Sequence, residues 1–452
     1  MGEFFVESVY IDRVNSQGQG IGRAPDGRTV FVSGALVGET VDVAVRKEKK
    51  SYFEGRVDRV VEASAHRREA PCKWYRSCGG CQLQHADYEM QCRIKSMLVG
   101  DALRRIGGFS LAEEVKVEPS PSEWGYRNKA SFPVRAAGSR GRVGFFKAGS
   151  HEIVPIDECP VIGSRANALY AVLKKMIEDG RFCCYDEGKN EGWLRHVVIR
   201  SAGIYEELLL LLVVAAKPEG EALASLEALY DFLKLDFPEL RGLALNVNPD
   251  EGNVILGSET FTVKGEDCLT ERLGAFRLDY DSTSFFQANP RQAEKLFEYA
   301  SSLVGGNIVE LYCGVGALTA FFAGKSSSIK AVEQWPSAVA LARENGKRNR
   351  VEPLEVIEGD AAKAIDGGLL DGADCVVVDP PRTGCDKSVI DAVIAAKIPA
   401  VLYVSCDPAT LARDAKLLCE NGYALDEGSL RAFDMFPQTA HVETVALLKK
   451  TQ

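Results

Sequence analysis

The chain has 452 residues, 46% hydrophobic and 26% charged, with 42 glycines and 18 prolines. That is soluble globular composition, and it excludes collagen, coiled coil and wholesale disorder. At about 150 residues per domain, two to four domains are expected, each able to bury its own core. The longest apolar run, Leu208 to Ala216, falls well short of the roughly 20 residues a membrane-spanning helix needs. The start, Met1-Gly2-Glu3-Phe4-Phe5, lacks the basic and apolar regions of a secretory signal, so no membrane association and a cytoplasmic location are expected. Net charge is −10, but residues 1–150 carry 24 Lys and Arg against 18 Asp and Glu, and the remainder carries 30 against 46. The acidity belongs to the C-terminal two thirds, and a polyanion is compatible with the N-terminal third.

Residues 1–63 read as a small β-barrel without a helix. The β-rich runs are Val6 to Ile11, Thr29 to Val32, Glu39 to Val45 and Glu54 to Val60, separated by glycine-marked turns. The stretch Gly18-Gln19-Gly20-Ile21-Gly22 is no dinucleotide fingerprint, because no helix follows it. The loop from Arg46 to Phe53 mixes cations with aromatics, a surface suited to nucleic-acid phosphates and bases. Residues 64–280 are expected to form a central α+β domain. It contains a helix from Asp87 to Ile106, strands at Arg195 to Arg200 and Leu208 to Val214, and a helix near Glu219 to Leu233. A basic face of Arg127, Lys129, Arg135, Arg140, Arg142 and Lys147 is the candidate phosphate contact.

From residue 281 the rhythm changes. A helix from Pro290 to Leu303 is opened by Asn289 as N-cap and proline at the first position. Strands then alternate with helices at Asn307 to Leu311, Ile329 to Val332, Leu354 to Ile357, Cys375 to Val378 and Ala400 to Val404. This alternation predicts a doubly wound, Rossmann-like α/β domain over 281–452, whose ligands sit at the carboxyl ends of the strands. The first strand ends in Tyr312-Cys313-Gly314-Val315-Gly316, where glycines admit close backbone approach by a cofactor. The second ends at Glu333, placed to accept from ribose hydroxyls, and the third leads to Asp360, a weaker candidate toward an adenine amine. Together they predict an adenosine-type cofactor. Asp379-Pro380-Pro381-Arg382 makes a rigid bend after the fourth strand, and Cys406, within Ser405-Cys406-Asp407-Pro408, stands at the mouth of the fifth as a candidate nucleophile.

With these motifs in order, together with Phe285-Phe286-Gln287-Ala288-Asn289 and the segment Asp434 to Glu443, the sequence resembles the S-adenosylmethionine-dependent RNA uracil-C5 methyltransferases. It is most similar to the iron–sulfur type that acts on 23S ribosomal RNA and carries an N-terminal TRAM domain. The resemblance covers essentially the whole chain. It implies that Gln287, Tyr312, Glu333 and Asp379 contact S-adenosyl-L-methionine, that Cys406 is the nucleophile and that Glu443 is the base. It implies no contact for Ala317. Transfer RNA is the second substrate candidate; the TRAM-like N-terminus favours ribosomal RNA, since the tRNA relatives generally lack that module. Two rivals are a base-amine methyltransferase, whose motif ends in an aromatic where Arg382 stands, and a noncatalytic RNA-binding or ribosome assembly factor. No obligate protein partner is evident.

Thirteen cysteines in a chain without a signal argue against a disulfide framework. Cys183, Cys184, Cys268, Cys375 and Cys419 are expected to be packing residues, and Cys92 to face the core. Cys72, Cys78 and Cys81, with the remote Cys159-Pro160, make a candidate four-thiolate metal site. Both zinc and a [4Fe-4S] cluster accept four thiolates. The single Cys-x2-Cys fits zinc less well, and the resemblance implies [4Fe-4S], in a structural or RNA-contacting role.

Overall fold

The computed structural model describes residues 4–203 and 206–451. Two compact bodies divide the chain. The first holds the residues up to Arg76, Gly80–Glu123 and those from Cys375 onward; the second holds Ser77–Gly79 and Trp124–Asp374.

In the first body the N-terminal strands close into a barrel. They are β1 (Phe4–Val14), β2 (Gly20–Arg23), β3 (Thr29–Ser33), β4 (Thr40–Glu48) and β5 (Tyr52–Glu62), in the order β1-β2-β3-β5-β4. Alternating residues fill it: Val9, Ile11, Val30, Val32, Val41, Val43 and Phe53 are buried together. β2 lies in the glycine stretch, and the glycines have a packing reason. A Cβ at Gly22 would stand 2.3 Å from the Tyr10 carbonyl oxygen, so only glycine lets these strands approach. The expected aromatic tip is only partly available. Phe53 is buried with the Arg28 guanidinium 3.8 Å above its ring, and Tyr52 packs edge-on to Phe31.

The helix Tyr88–Ala102 follows, capped by Asp87, whose side chain accepts from the Met90 N–H. Its Met90 and Ile94 pack with Val14, Leu36, Leu83 and Ala440. The C-terminal part of this body is sheet: Cys375–Val378 and Ala400–Ser405 run parallel. Glu443–Lys450 pairs antiparallel with the latter and with Tyr423–Phe433.

The second body contains a six-stranded sheet in which Leu194–Ala202 and Glu207–Val214 are central and almost wholly buried. The helices Ser164–Glu178 and Glu221–Asp236 belong to this body. It also contains the parallel strands Gly306–Leu311, Ser326–Glu333 and Leu354–Glu358, with the helix Pro290–Ser302 capped by Asn289 as expected. Among the described residues no helix is long and apolar enough to cross a membrane.

Candidate active site

Strand register in the first body brings three reactive side chains to one edge. Ser405 pairs with Thr444, and Val378 pairs with Tyr403. The next residues along, Asp379, Cys406 and Glu443, therefore leave neighbouring strands at the same end. Glu443 is 4% exposed, and Cys406 is half-buried.

Burial dominates their chemistry. It pushes the Glu443 carboxyl up to about 8, with the Asp379 charge adding to the rise and Arg382 opposing it. Burial raises Asp379 to about 7. The Cys406 thiol is pushed up to about 12, first by burial and then by the Glu443 and Asp379 charges, again against Arg382. Burial thus favours the neutral forms of the thiol and of both carboxyls in the resting site, beside the Arg382 guanidinium. Arg382 is the residue whose role the sequence left unassigned: it is the cation that favours the ionised forms of both Cys406 and Glu443.

The frame around these groups is well made. Cys406 sits in a strand-to-helix turn, where Asp407 caps Pro408–Glu420 by accepting from the Ala409 and Thr410 N–H groups at 2.8 and 3.2 Å. The loop carrying Arg382 is tied to that helix. Buried Asp414 accepts from the Cys385 N–H at 3.0 Å and the Tyr403 hydroxyl at 2.7 Å, and Arg413 donates to the Thr383 carbonyl at 3.1 Å.

Glu443 is reached through the loop after Phe433, and that loop is pinned by buried polar groups. Lys95 and Asp434, both without side-chain exposure, form an ion pair, and the Lys95 ammonium also donates to the Phe436 carbonyl at 3.0 Å. Gln438 adopts a left-handed backbone, φ 72°, and is fully buried. Its backbone N–H donates to the Gln91 side-chain oxygen at 2.8 Å, and its side-chain oxygen accepts from the Gln91 side-chain amide at 3.0 Å.

In the second body Glu333 accepts from the Gly314 N–H at 3.0 Å and from the Gln334 and Trp335 N–H groups at 2.8 and 3.0 Å. It thereby holds the glycine loop in which Tyr312, Gly314 and Gly316 all have positive φ. Asn345, which nothing in the sequence singled out, donates to the Val315 carbonyl at 2.9 Å and completes that loop's support. Gln287 is buried, and its carbonyl accepts from the Asn128 side chain at 3.0 Å. Asp360 is spent locally as an N-cap toward the Lys363 N–H.

The cations of the basic face differ in their surroundings. Arg135 pairs with Glu187 and Lys147 with Glu152, while burial and the neighbouring Arg200 and Arg127 charges lower Lys129 to about 8. Arg140 and Arg142 remain exposed. Cys183, expected inside, is exposed, whereas Cys184 and Cys375 are buried.

Cys72, Cys78, Cys81 and Cys159 are all half-buried, a setting that suits thiolate ligands better than core packing. Side-chain amides hold two of them: the Cys72 N–H donates to Gln84 and the Cys159 N–H to Asn167. Among the described residues no group of three or more His, Cys, Asp or Glu is gathered to hold a metal ion. The expected four-thiolate centre is not supported as a gathered ligand set.

Residues 6–57 match the TRAM domain, and residues 263–451 match the tRNA (uracil-5-)-methyltransferase family. An RNA methyltransferase of uncharacterised function from Clostridium acetobutylicum is 36% identical, covering 98% of this chain and 96% of its own. One from Gloeobacter violaceus is 38% identical with the same coverage. Among solved structures, the Pyrococcus abyssi tRNA (uracil-54, C5)-methyltransferase in complex with S-adenosyl-L-homocysteine is 30% identical with a TM-score of 0.76. The match covers 98% of this chain and 99% of that one. With its closed N-terminal barrel and Rossmann-like methyltransferase fold, the chain belongs to the S-adenosylmethionine-dependent RNA (uracil-5-)-methyltransferases that carry a TRAM domain.

Proposed function

We propose that the protein methylates C5 of a uridine in structured RNA through a covalent Cys406 adduct, with Glu443 as the base. The observation that carries this reading is the register that sets Cys406 beside buried Glu443, with Asp379 and Arg382 acting electrostatically on both. Uracil C5 is a poor nucleophile. The Cys406 thiol gives up its proton to solvent, the thiolate forms a bond to C6, and the electron pair of the C5–C6 double bond makes C5 enolate-like. Bound S-adenosyl-L-methionine supplies the methyl group that C5 takes. Glu443 then removes the C5 proton, the C5–C6 double bond returns and the Cys406 sulfur leaves. Arg382 lowers the cost of the thiolate and of ionised Glu443. The target base must leave its stack to reach such a site.

Gln287, Tyr312, Glu333 and Asp379 are proposed as the S-adenosyl-L-methionine contacts. Burial of Gln287 and the Glu333-organised glycine loop support this. Cys72, Cys78, Cys81 and Cys159 are proposed as ligands of a [4Fe-4S] cluster in a cytoplasmic enzyme, supported by their shared half-burial. Iron and acid-labile sulfide in anaerobically purified protein, lost in Cys81→Ser, would establish the cluster; their absence would remove it. We take 23S ribosomal RNA as the substrate on the family resemblance. The nearly full-length match to a tRNA enzyme favours a second reading, a tRNA uridine.

The test is tritium release from RNA labelled at uracil C5, with ribosomal and transfer RNA pools from cells lacking the modification assayed separately. Release from the ribosomal pool, absent in Cys406→Ala, is expected. Release from the transfer pool alone would move the substrate to tRNA, and release from neither would refute the proposed reaction.

A further inference from the structure

Gln438 has its backbone and side-chain polar groups satisfied by one stretch of chain. Its N–H donates to the Gln91 side-chain oxygen at 2.8 Å. Its carbonyl accepts from the Gln82 and Leu83 N–H groups at 3.0 and 2.9 Å. Its side-chain oxygen accepts from Gln91 at 3.0 Å and Arg68 at 3.1 Å, and its side-chain amide donates to Glu123 at 3.3 Å. A glutamine at φ 72° is strained, and it persists only where its surroundings over-determine it. The five residues that do so lie between Arg68 and Glu123 in sequence. Gln82 and Leu83 directly follow Cys81.

The same stretch is wired to the cysteines. The Cys72 N–H donates to the Gln84 side chain at 3.2 Å, and the Gln84 carbonyl accepts from Arg68 at 3.1 Å. The Tyr75 hydroxyl donates to the Gln82 carbonyl at 2.5 Å. On the other side, Gln438 lies in the loop between the paired residues Phe433 and Glu443. The loop's entry is fixed by the Asp434 N–H on the Glu118 carbonyl at 3.0 Å and by the buried Lys95–Asp434 pair.

We infer that Gln438 is a positioning residue through which the cysteine-bearing segment from Arg68 to Gln91 sets the placement of Glu443. The conformation of that segment therefore governs proton removal from C5 rather than formation of the adduct. The inference rests on the catalytic reading proposed above. It separates two halves of the reaction: bond formation at Cys406, and the Glu443 step that releases it.

The two halves can be measured apart with RNA transcripts carrying 5-fluorouridine. The thiolate adds to C6 and C5 takes the methyl group, but fluorine cannot leave as a cation, so the adduct accumulates without the base. Gln91→Ala and Gln438→Asn are expected to form this adduct at near wild-type rate while tritium release from ordinary RNA falls about 10²-fold, the cost of a misplaced catalytic group. Equal loss of adduct and release, or loss of neither, would overturn the inference. Failure of the wild-type protein to form any adduct would instead refute the covalent reading, and the inference with it.

The link to the cysteines has its own readout. Amide exchange in residues 434–442, measured on the full chain without substrate, is expected to quicken in Cys81→Ser and in Gln84→Leu. The second variant keeps the test open if the first does not fold. Unchanged exchange in a folded variant would overturn the coupling.

Discussion

Replacing Glu443 by glutamine should stabilise this protein, and only above a definite pH. Burial and the Asp379 charge raise the folded-state carboxyl from 4.5 to about 8. Below pH 4.5 both folded and unfolded chains carry the proton, and no penalty exists. Between 4.5 and about 8 the unfolded chain has released the proton while the folded chain retains it, so stability falls as pH rises. Above 8 both are ionised, and the folded state bears the whole difference. At 1.36 kcal/mol per pH unit this is about 5 kcal/mol. Glu443→Gln keeps the shape and removes the ionisation. Urea unfolding of the two proteins at pH 5 and at pH 8.5 measures the effect as a difference of differences. A gap that opens by several kcal/mol toward alkaline pH is expected. A difference that does not change with pH would refute the reasoning, since a lost hydrogen bond has no such window.

Activity should follow the same group. Where proton removal from C5 limits turnover, the rate is expected to rise about tenfold per pH unit toward pH 8 and bend there as Glu443 ionises, read from a pH profile of tritium release. Because Arg382 opposes the rise at both Glu443 and Cys406, Arg382→Gln should move that limb to higher pH, and an unmoved limb would deny Arg382 its electrostatic role. Lys95→Met strands a fully buried Asp434 carboxylate and is expected to cost about 3–5 kcal/mol in urea unfolding. The double variant Lys95→Met/Asp434→Leu should recover most of that, and no recovery would show that the charge itself is not the problem. Cys406→Ala should abolish the adduct on 5-fluorouridine RNA while leaving RNA affinity unchanged in a filter-binding assay.

Patterned elements could be read in the sequence because their signals are local. Each barrel run, the Asn289–Pro290 helix start and each strand of the strand–helix alternation lies within one element. β2 escaped because its glycines look like turn residues, and the reason for them, the approach to the Tyr10 carbonyl, exists only once β1 is paired. The individual reactive residues were nameable from motifs. Their meeting was not: the approach of Cys406 to Glu443 is a consequence of the register Ser405–Thr444 between strands with another strand inserted in sequence. The supports of the site were the least legible. Lys95–Asp434 and Gln91–Gln438 join the helix Tyr88–Ala102 to a loop more than three hundred residues away, and neither pair has a spacing that sequence can display. The cysteine spacing names candidate ligands, but among the described residues it does not by itself gather a ligand set.

The electrostatics of the strand edge explain why nucleophile and base can share so small a space. Were Cys406, Glu443 and Asp379 all ionised, three negative charges would stand together beside the Arg382 guanidinium. Burial instead keeps the thiol and the Glu443 carboxyl neutral at rest, which limits that repulsion and protects the sulfur, since the thiolate is the form that oxidises and alkylates. The cost is that each group must ionise in its turn, and never both at full charge. The proposed chemistry meets this condition. When the adduct forms, the Cys406 sulfur becomes a neutral thioether, and Glu443 ionises against burial and the Asp379 charge, with Arg382 favouring it. Removing the C5 proton returns Glu443 to its neutral form just as the sulfur departs as thiolate. At elimination one negative charge passes from Glu443 to the Cys406 sulfur, and Arg382 is a fixed cation acting on both positions of that charge.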